Sequence, residues 1–222
     1  MKRRSAPLGS PAQCAAAVGR TAARLAAAAM AAVAIGGSAP AVAAEVAGVK
    51  VPERATLGKG LPELVLNGAG VRYKLMTVEL YVGALYLASR MKSAKEVLAD
   101  PGPKRVLMHV LAEELTAKEL VASLNDAIAA NHIPAEIALI EKRLRDLNRT
   151  MASIGTLKRG GVVLVDFLPG TGTRVTVNGE ERITIPGEDF HRALLRVWLG
   201  ERPVDGRLRD ALLGAGGAPR LF

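Results

Sequence analysis

Aromatic side chains are scarce in this chain: three phenylalanines, three tyrosines and one tryptophan, 3% of 222 residues. A core must therefore come from Leu, Val, Ile and Ala. Half of the residues are hydrophobic and the length suits one ordinary domain, so such a core can form. Cysteine is scarcer still. Cys14 stands alone, which excludes a disulfide framework. The three histidines, His109, His132 and His191, lie far apart, and no HExxH helix or carboxylate-rich loop accompanies them. Neither a metal centre nor a cofactor is expected. A Gly-x-Ser-x-Gly elbow is missing, as is a dinucleotide fingerprint after a strand, and there is no internal repeat.

Acidic residues are missing from the first 44 positions, which carry Lys2, Arg3, Arg4, Arg20 and Arg24. Leu25 to Ile35 is a short apolar run, Gly36, Gly37 and Pro40 break it, and Ala-Val-Ala-Ala follows. A positive lead, a short apolar run and a small-residue site form the pattern of a secretory signal peptide. The run is too short for a spanning anchor. Residues 1–44 are expected to be a signal peptide, cleaved after Ala44 or, as second choice, after Ala43. The mature protein is then periplasmic or secreted, with no stable membrane anchor. The long lead admits a later methionine as the start. Arg3-Arg4 hints at a twin-arginine signal that the following residues do not support. Cys14 precedes the apolar run, so it is no lipoprotein cysteine, and it leaves with the leader. Of 30 basic and 21 acidic residues, 25 and 21 then remain, a near balance that does not make a nucleic-acid surface. The oligomeric state is open.

Taken in order, 46–52 reads as an extended arm and 63–66 as a short strand. Asn67-Gly68-Ala69-Gly70 reads as a turn cluster. Two strands follow over 71–87, joined near Thr77. In the second, Leu80, Val82, Ala84 and Tyr86 alternate with Tyr81, Gly83, Leu85 and Leu87. Both faces are apolar, so this strand belongs near the middle of a sheet, covered on both sides. Residues 91–99 form a short helix with a capping box at Ser93 and Glu96, stopped by Pro101 and Pro103. Residues 105–111 form a strand containing His109, read as a core or edge histidine against a catalytic one. Helices follow over 116–131, capped by Thr116 and Glu119, and after Pro134. The second is amphipathic and basic. Its acids nearly balance its bases, so a solvated outer face competes with membrane binding. Strand 162–168 leads into a hairpin about Asn178-Gly179, the strongest short-range hairpin signal. Pro-Gly-Thr-Gly-Thr at 169–173 lacks the lysine and helix of a phosphate-binding loop. Helices at 188–199 and 203–213 end the chain before a loose tail, 215–222. Strands segregated from helices give an α+β fold with a large antiparallel sheet.

Asn67-Gly68-Ala69-Gly70-Val71-Arg72, followed by VELYVGALYL, resembles the chalcone isomerase family, most of all its bacterial, secreted chalcone isomerase-like branch. DFLPGTGTRVTVNG (166–179), TIPGEDFHRALLRVWLG (184–200) and ERPVDGRLRDALLG (201–214) extend the likeness over nearly all of 45–214. The resemblance implies an antiparallel sheet with helices packed on one side and a ligand cleft between them. It also implies an isomerase (an intramolecular lyase) that adds a phenolate to an enone near a positive charge, or a non-catalytic binder of fatty acids with the carboxylate on that same arginine. The arginine of the motif falls at Arg72. A threonine of the following strand falls at Tyr81, the catalytic tyrosine at about Leu120, its asparagine partner near Ala127 with Asn125 a half-turn away, and a late threonine at Val197. One position matches, one is altered and three are apolar or displaced.

The candidate ligand-binding residues are therefore Arg72, Tyr81 and Asn125, with Arg72 and Tyr81 the catalytic candidates if the chain is an enzyme. The competing readings make Arg72 a surface or internal ion-pair residue, Tyr81 a core tyrosine, and Trp198 core. Three functions follow: a binder of a small lipophilic acid such as a fatty acid, an isomerase of a phenolic or enone substrate, or a periplasmic interaction protein with a closed cleft.

Overall fold

A computed structural model describes residues 43–215; the proposed leader up to position 42 and the tail from 216 lie outside the described residues. The chain opens on a hairpin, β1 (Ala43–Val46) and β2 (Val49–Pro52), and a two-residue strand, β3 (Arg54–Ala55). Long strands β4 (Leu64–Lys74) and β5 (Val78–Leu87) follow, then α1 (Ala94–Ala99), β6 (Lys104–Val110) and β7 (Glu114–Thr116). Helices α2 (Ala117–Asn131) and α3 (Pro134–Ala152) come next. After them come β8 (Thr156–Lys158), β9 (Val162–Leu168), β10 (Gly172–Val177) and β11 (Glu180–Ile185), and the chain closes with α4 (Glu188–Leu199) and α5 (Gly206–Leu212).

Seven strands form one antiparallel sheet in the order β11-β10-β9-β6-β5-β4-β3. This is the α+β architecture that the residue pattern implies. Strand β5 is interior and buried throughout from Leu80 to Leu87. Tyr81, Leu85 and Leu87 join the main core beneath the helices, with Leu144, Leu147, Leu194 and Trp198. Val82, Ala84 and Tyr86 join a smaller core on the opposite face, closed by Val51 of the opening hairpin and by Leu57. The apolar period of two on both faces has its cause there. The stretch read as an extended arm is thus half of a hairpin. Ala44 of β1 is buried and pairs with Val51, so cleavage at either expected site trims the start of that strand.

The cluster Asn67–Gly70 is not a turn. It runs inside β4, with a bulge between Leu66 and Gly68. Its glycines serve close approach instead of reversal. A Cβ on Gly68 would run into the Ala211 carbonyl oxygen, and one on Gly70 would sit 2.6 Å from the Ala211 Cβ. Gly83, opposite Gly70, meets Leu208. A strip of glycines lets α5 lie directly on β4 and β5. The chain reverses at Leu75–Thr77, close to the expected join. Thr116 caps α2 with both halves of its capping box, whereas Ser93 caps α1 with only its own side-chain bond. The pair β7–β8 gave no sequence signal, because three-residue strands carry no period.

Buried charges on the sheet are paired internally. Asp166 is fully buried on the face away from the helices, and register sets it between Arg105 and Arg174. Arg105 grips it through two bonds of 2.6 and 2.8 Å, and Arg174 adds one of 2.9 Å. On the helix side, Lys104 bonds Asp100 and the Gly102 carbonyl. Near it, His191 of α4 stacks on Phe167 at 4.7 Å and contacts the Thr173 hydroxyl at 3.2 Å. Burial, with the charge of Lys104 nearby, pushes the His191 imidazole down to about 3.

Two outcomes follow. Gly70→Ala should destabilise the fold by about 1–3 kcal/mol through overpacking; adding Ala211→Gly should return part of that loss in a denaturant double-mutant cycle, beyond the roughly 1 kcal/mol that a helical glycine costs. His191 is neutral in the folded protein, while the unfolded chain gains a proton below pH 6.5. Stability is therefore lost as pH falls from about 6.5 towards 3, with a slope from this residue approaching about 1.4 kcal/mol per pH unit. Urea unfolding of His191→Leu at pH 7, 6 and 5 should show a shallower dependence than the wild type by about that slope.

Candidate functional site

Strand register builds the site. Arg72 of β4 lies directly opposite Tyr81 of β5, so both side chains leave the sheet on its helix-facing side. The guanidinium carbon sits 5.7 Å from the Tyr81 ring centre, within cation–π range. Arg72 Nη2 donates to Ser123 Oγ of α2 at 2.8 Å. Among the described residues, the buried Arg72 Nε has no partner. No ion pair to Arg72 forms among the described residues, in contrast to Arg105 and Arg174. The remaining stretches contain no Asp or Glu at all.

Tyr81 is 2% exposed, and its hydroxyl accepts a bond of 3.0 Å from Trp198 Nε1 of α4. Burial pushes its phenol above the ordinary value; the Arg72 charge and the Trp198 bond pull the other way. The phenol is thus a fixed, protonated wall group.

Beside this pair lies a narrow cavity between sheet and helices, of about 60 Å³ measured as the space open to the centre of a water-sized sphere. Met108, Val163 and Val165 form part of its floor, and Leu120, Leu147 and Leu194 part of its roof. Arg72 is the one charged residue in its lining; Tyr81, Ser123 and Trp198 supply the other polar atoms. The half-buried part of the lining, Arg72, Leu120, Val121, Ser123, Leu124 and Val204, marks the mouth: the end of β4, the start of α2 and the link between α4 and α5. The lining at the sheet is buried. Its apolar interior and polar rim suit an apolar body with a polar head, but at this size a long chain enters only as the wall side chains give way.

Of the three candidate residues, Arg72 and Tyr81 come together in the lining. Asn125 does not join them: its side chain accepts a bond of 3.0 Å from Asn148 on α3, and the cavity lining excludes it. Leu120 and Val197 stand in the wall, and Ala127 is in the core. His109 points to the face away from the helices, opposite Val82 and Val162. Two wall groups escaped the sequence reading. Ser123 shares the inward stripe of α2 with Leu120 and Leu124, but nothing in the sequence couples it to an arginine 51 positions away. Trp198 reads as core and is core, yet its ring nitrogen also fixes Tyr81. Among the described residues, no group of three His, Cys, Asp or Glu side chains could hold a metal ion, and no helix is long and apolar enough to cross a membrane.

Comparison with solved structures gives a fatty-acid binding protein of Arabidopsis thaliana at 14% identity and a TM-score of 0.56, covering 76% of this chain and 93% of that one. At that identity the likeness is one of fold. No curated protein sequence matches the chain. A family model described as chalcone isomerase-like matches residues 43–214. With the glycines and the arginine of β4 and the sheet-and-helix cavity, this match settles the family: the chain belongs to the chalcone isomerase-like proteins.

Proposed function

We propose that this protein binds a small lipophilic acid, such as a fatty acid, with its chain in the apolar cavity and its carboxylate on Arg72. The observation that carries the reading is the state of that arginine. Among the described residues it has one neutral hydroxyl partner, a buried Nε with none, and no acid paired with it. A half-buried cation whose Nε is shut off from solvent needs an anion or water to offset its lost hydration. A carboxylate offers two charge-assisted acceptors to a guanidinium, and the walls offer a longer ligand little but apolar contact. The solved structure of similar fold is titled as a fatty-acid binding protein, which agrees with this reading.

The isomerase reading draws less support. Ring closure on an enone needs oriented polar groups about the developing charge. Leu120 and Val197 offer none, which leaves Arg72, Ser123 and the Tyr81 hydroxyl, whose oxygen accepts from Trp198. We further propose export with removal of the leader. The intact mass of protein recovered from a periplasmic fraction should then correspond to a start at Glu45 or Ala44; a cytosolic chain that keeps Arg24 contradicts it.

Trp198 is the only tryptophan and lines the cavity, so its emission reports filling. Titration with saturated fatty acids of graded length should change that emission with saturation. Arg72→Ala should weaken binding about ten- to hundredfold, the range of a lost charge-assisted bond, and Arg72→Lys should restore part of it. Equal affinity in wild type and Arg72→Ala, or turnover of a chalcone by the wild type, overturns the reading.

A further inference from the structure

Among the described residues, tight hairpins with both central residues at positive φ occur three times. Two end in glycine: Ala47-Gly48, with φ 48° and 76°, and Asn178-Gly179, with φ 50° and 85°. These suit the turn, which demands left-handed backbone at both positions. The third joins β4 to β5. There the central pair is Leu75-Met76, at φ 51° and 65°, closed by a bond from Thr77 N–H to the Lys74 carbonyl. Bulky side chains in that backbone region are strained. They are also exposed: Leu75 by 85%, Met76 by 77%, and Val78 beyond them by 49%. Asn-Gly would relieve the strain and the exposure together, as the chain's own β10–β11 turn demonstrates. Three apolar side chains about one turn, two of them held outward at a conformational cost, point to a partner.

The tip's position identifies that partner. It projects from the rim of the cavity mouth, beginning three residues beyond Arg72. Lys74 ties its base to Glu119 at the start of α2, one residue before the wall residue Leu120. Arg207 of α5 lies over the Tyr73 ring at 4.7 Å. The neighbouring acids are engaged: Glu79 accepts from the Tyr73 hydroxyl, and Asp205 caps α5 and accepts from the Tyr73 N–H. An apolar point ringed by an aromatic and by long cationic side chains, with charges nearly balanced, matches the interface of a bilayer. Three side chains are too few for a protein–protein patch of standard size, about 800 Å² per partner.

We propose that the β4–β5 tip, Leu75, Met76 and Val78, inserts into the surface of a lipid bilayer and sets the cavity mouth against it, so that the ligand passes between membrane and cavity without crossing water. The transfer step rests on the lipophilic-acid reading above; the insertion does not.

Insertion is tested with an environment-sensitive fluorophore on Met76→Cys, in a Cys14→Ser background of the full chain. The control carries the same label on Leu139→Cys, a position 77% exposed on α3. Phosphatidylcholine vesicles should blue-shift the label at 76, brominated lipid should quench it, and the label at 139 should respond to neither. No response at 76, an equal response at 139, or a blue shift at 76 that grows with protein concentration without vesicles (a second copy covering the tip) overturns the proposal. Transfer is tested with Leu75→Asn/Met76→Gly, which gives the turn its preferred residues. Uptake of a fluorescent fatty acid from vesicles should slow at least tenfold, while affinity for the same acid delivered from solution stays unchanged. Unchanged uptake overturns the transfer step. Failure of both proteins to bind the acid condemns the ligand reading and leaves insertion to the vesicle result.

Discussion

One cross-strand pair organises the candidate site. Register sets Arg72 opposite Tyr81, and the glycine strip in β4 and β5 sets how much of that pair is covered. Gly68, Gly70 and Gly83 bring α5 down onto the sheet. Arg72, two positions further on, is the first residue of this face of β4 with a long side chain. It emerges where the cover of α5 ends and α2 begins, with Ser123 above and Tyr81 beside it. A guanidinium placed there is half removed from water and has no carboxylate partner among the described residues.

Other cations on the same sheet make the contrast. Arg105 and Arg174 converge on Asp166, and Lys104 is held by Asp100 and a carbonyl. Arg174 Nε, like Arg72 Nε, has no bond, but the Arg174 Nη2 reaches both Asp166 and the Leu57 carbonyl. Those pairs fasten strands and loops together. Breaking one by removing a partner would strand a buried charge, a loss of about 3–5 kcal/mol. Arg72 fastens little. Its neighbours are a hydroxyl, a ring and an apolar hollow, an arrangement with more use for a visiting anion than for the stability of the fold.

Much of the fold was legible because it rests on local periods. The alternation in Val78–Leu87 marked an interior strand with two covered faces. Thr116 and Glu119 marked the start of α2, and Asn178-Gly179 marked a hairpin. The misreadings share a cause. Glycines at 68 and 70 look alike whether they permit a reversal or a close approach, and the answer lay in Ala211, more than 140 positions away. The arm at 46–52 hid a hairpin because Ala47-Gly48 is a weaker turn signal than Asn-Gly. At the site, Arg72 and Tyr81 were visible through the family motif and the strand pattern. Ser123 and the second role of Trp198 were not, since both are tertiary contacts with no period of their own. Asn125 was placed by counting along a helix, and its partner proved to be Asn148 on the next helix instead of the cavity.

The central claim is that a ligand carboxylate meets the Arg72 charge in a site that is otherwise apolar. The most direct measurement is the titration of the bound carboxyl carbon of a ¹³C-carboxyl-labelled fatty acid by NMR. An adjacent guanidinium favours the ionised form, whereas an apolar site alone disfavours it. The account predicts that the bound carboxyl titrates below the free acid in the wild type and above it in any complex that Arg72→Ala retains. A bound carboxyl that titrates identically in both proteins contradicts it.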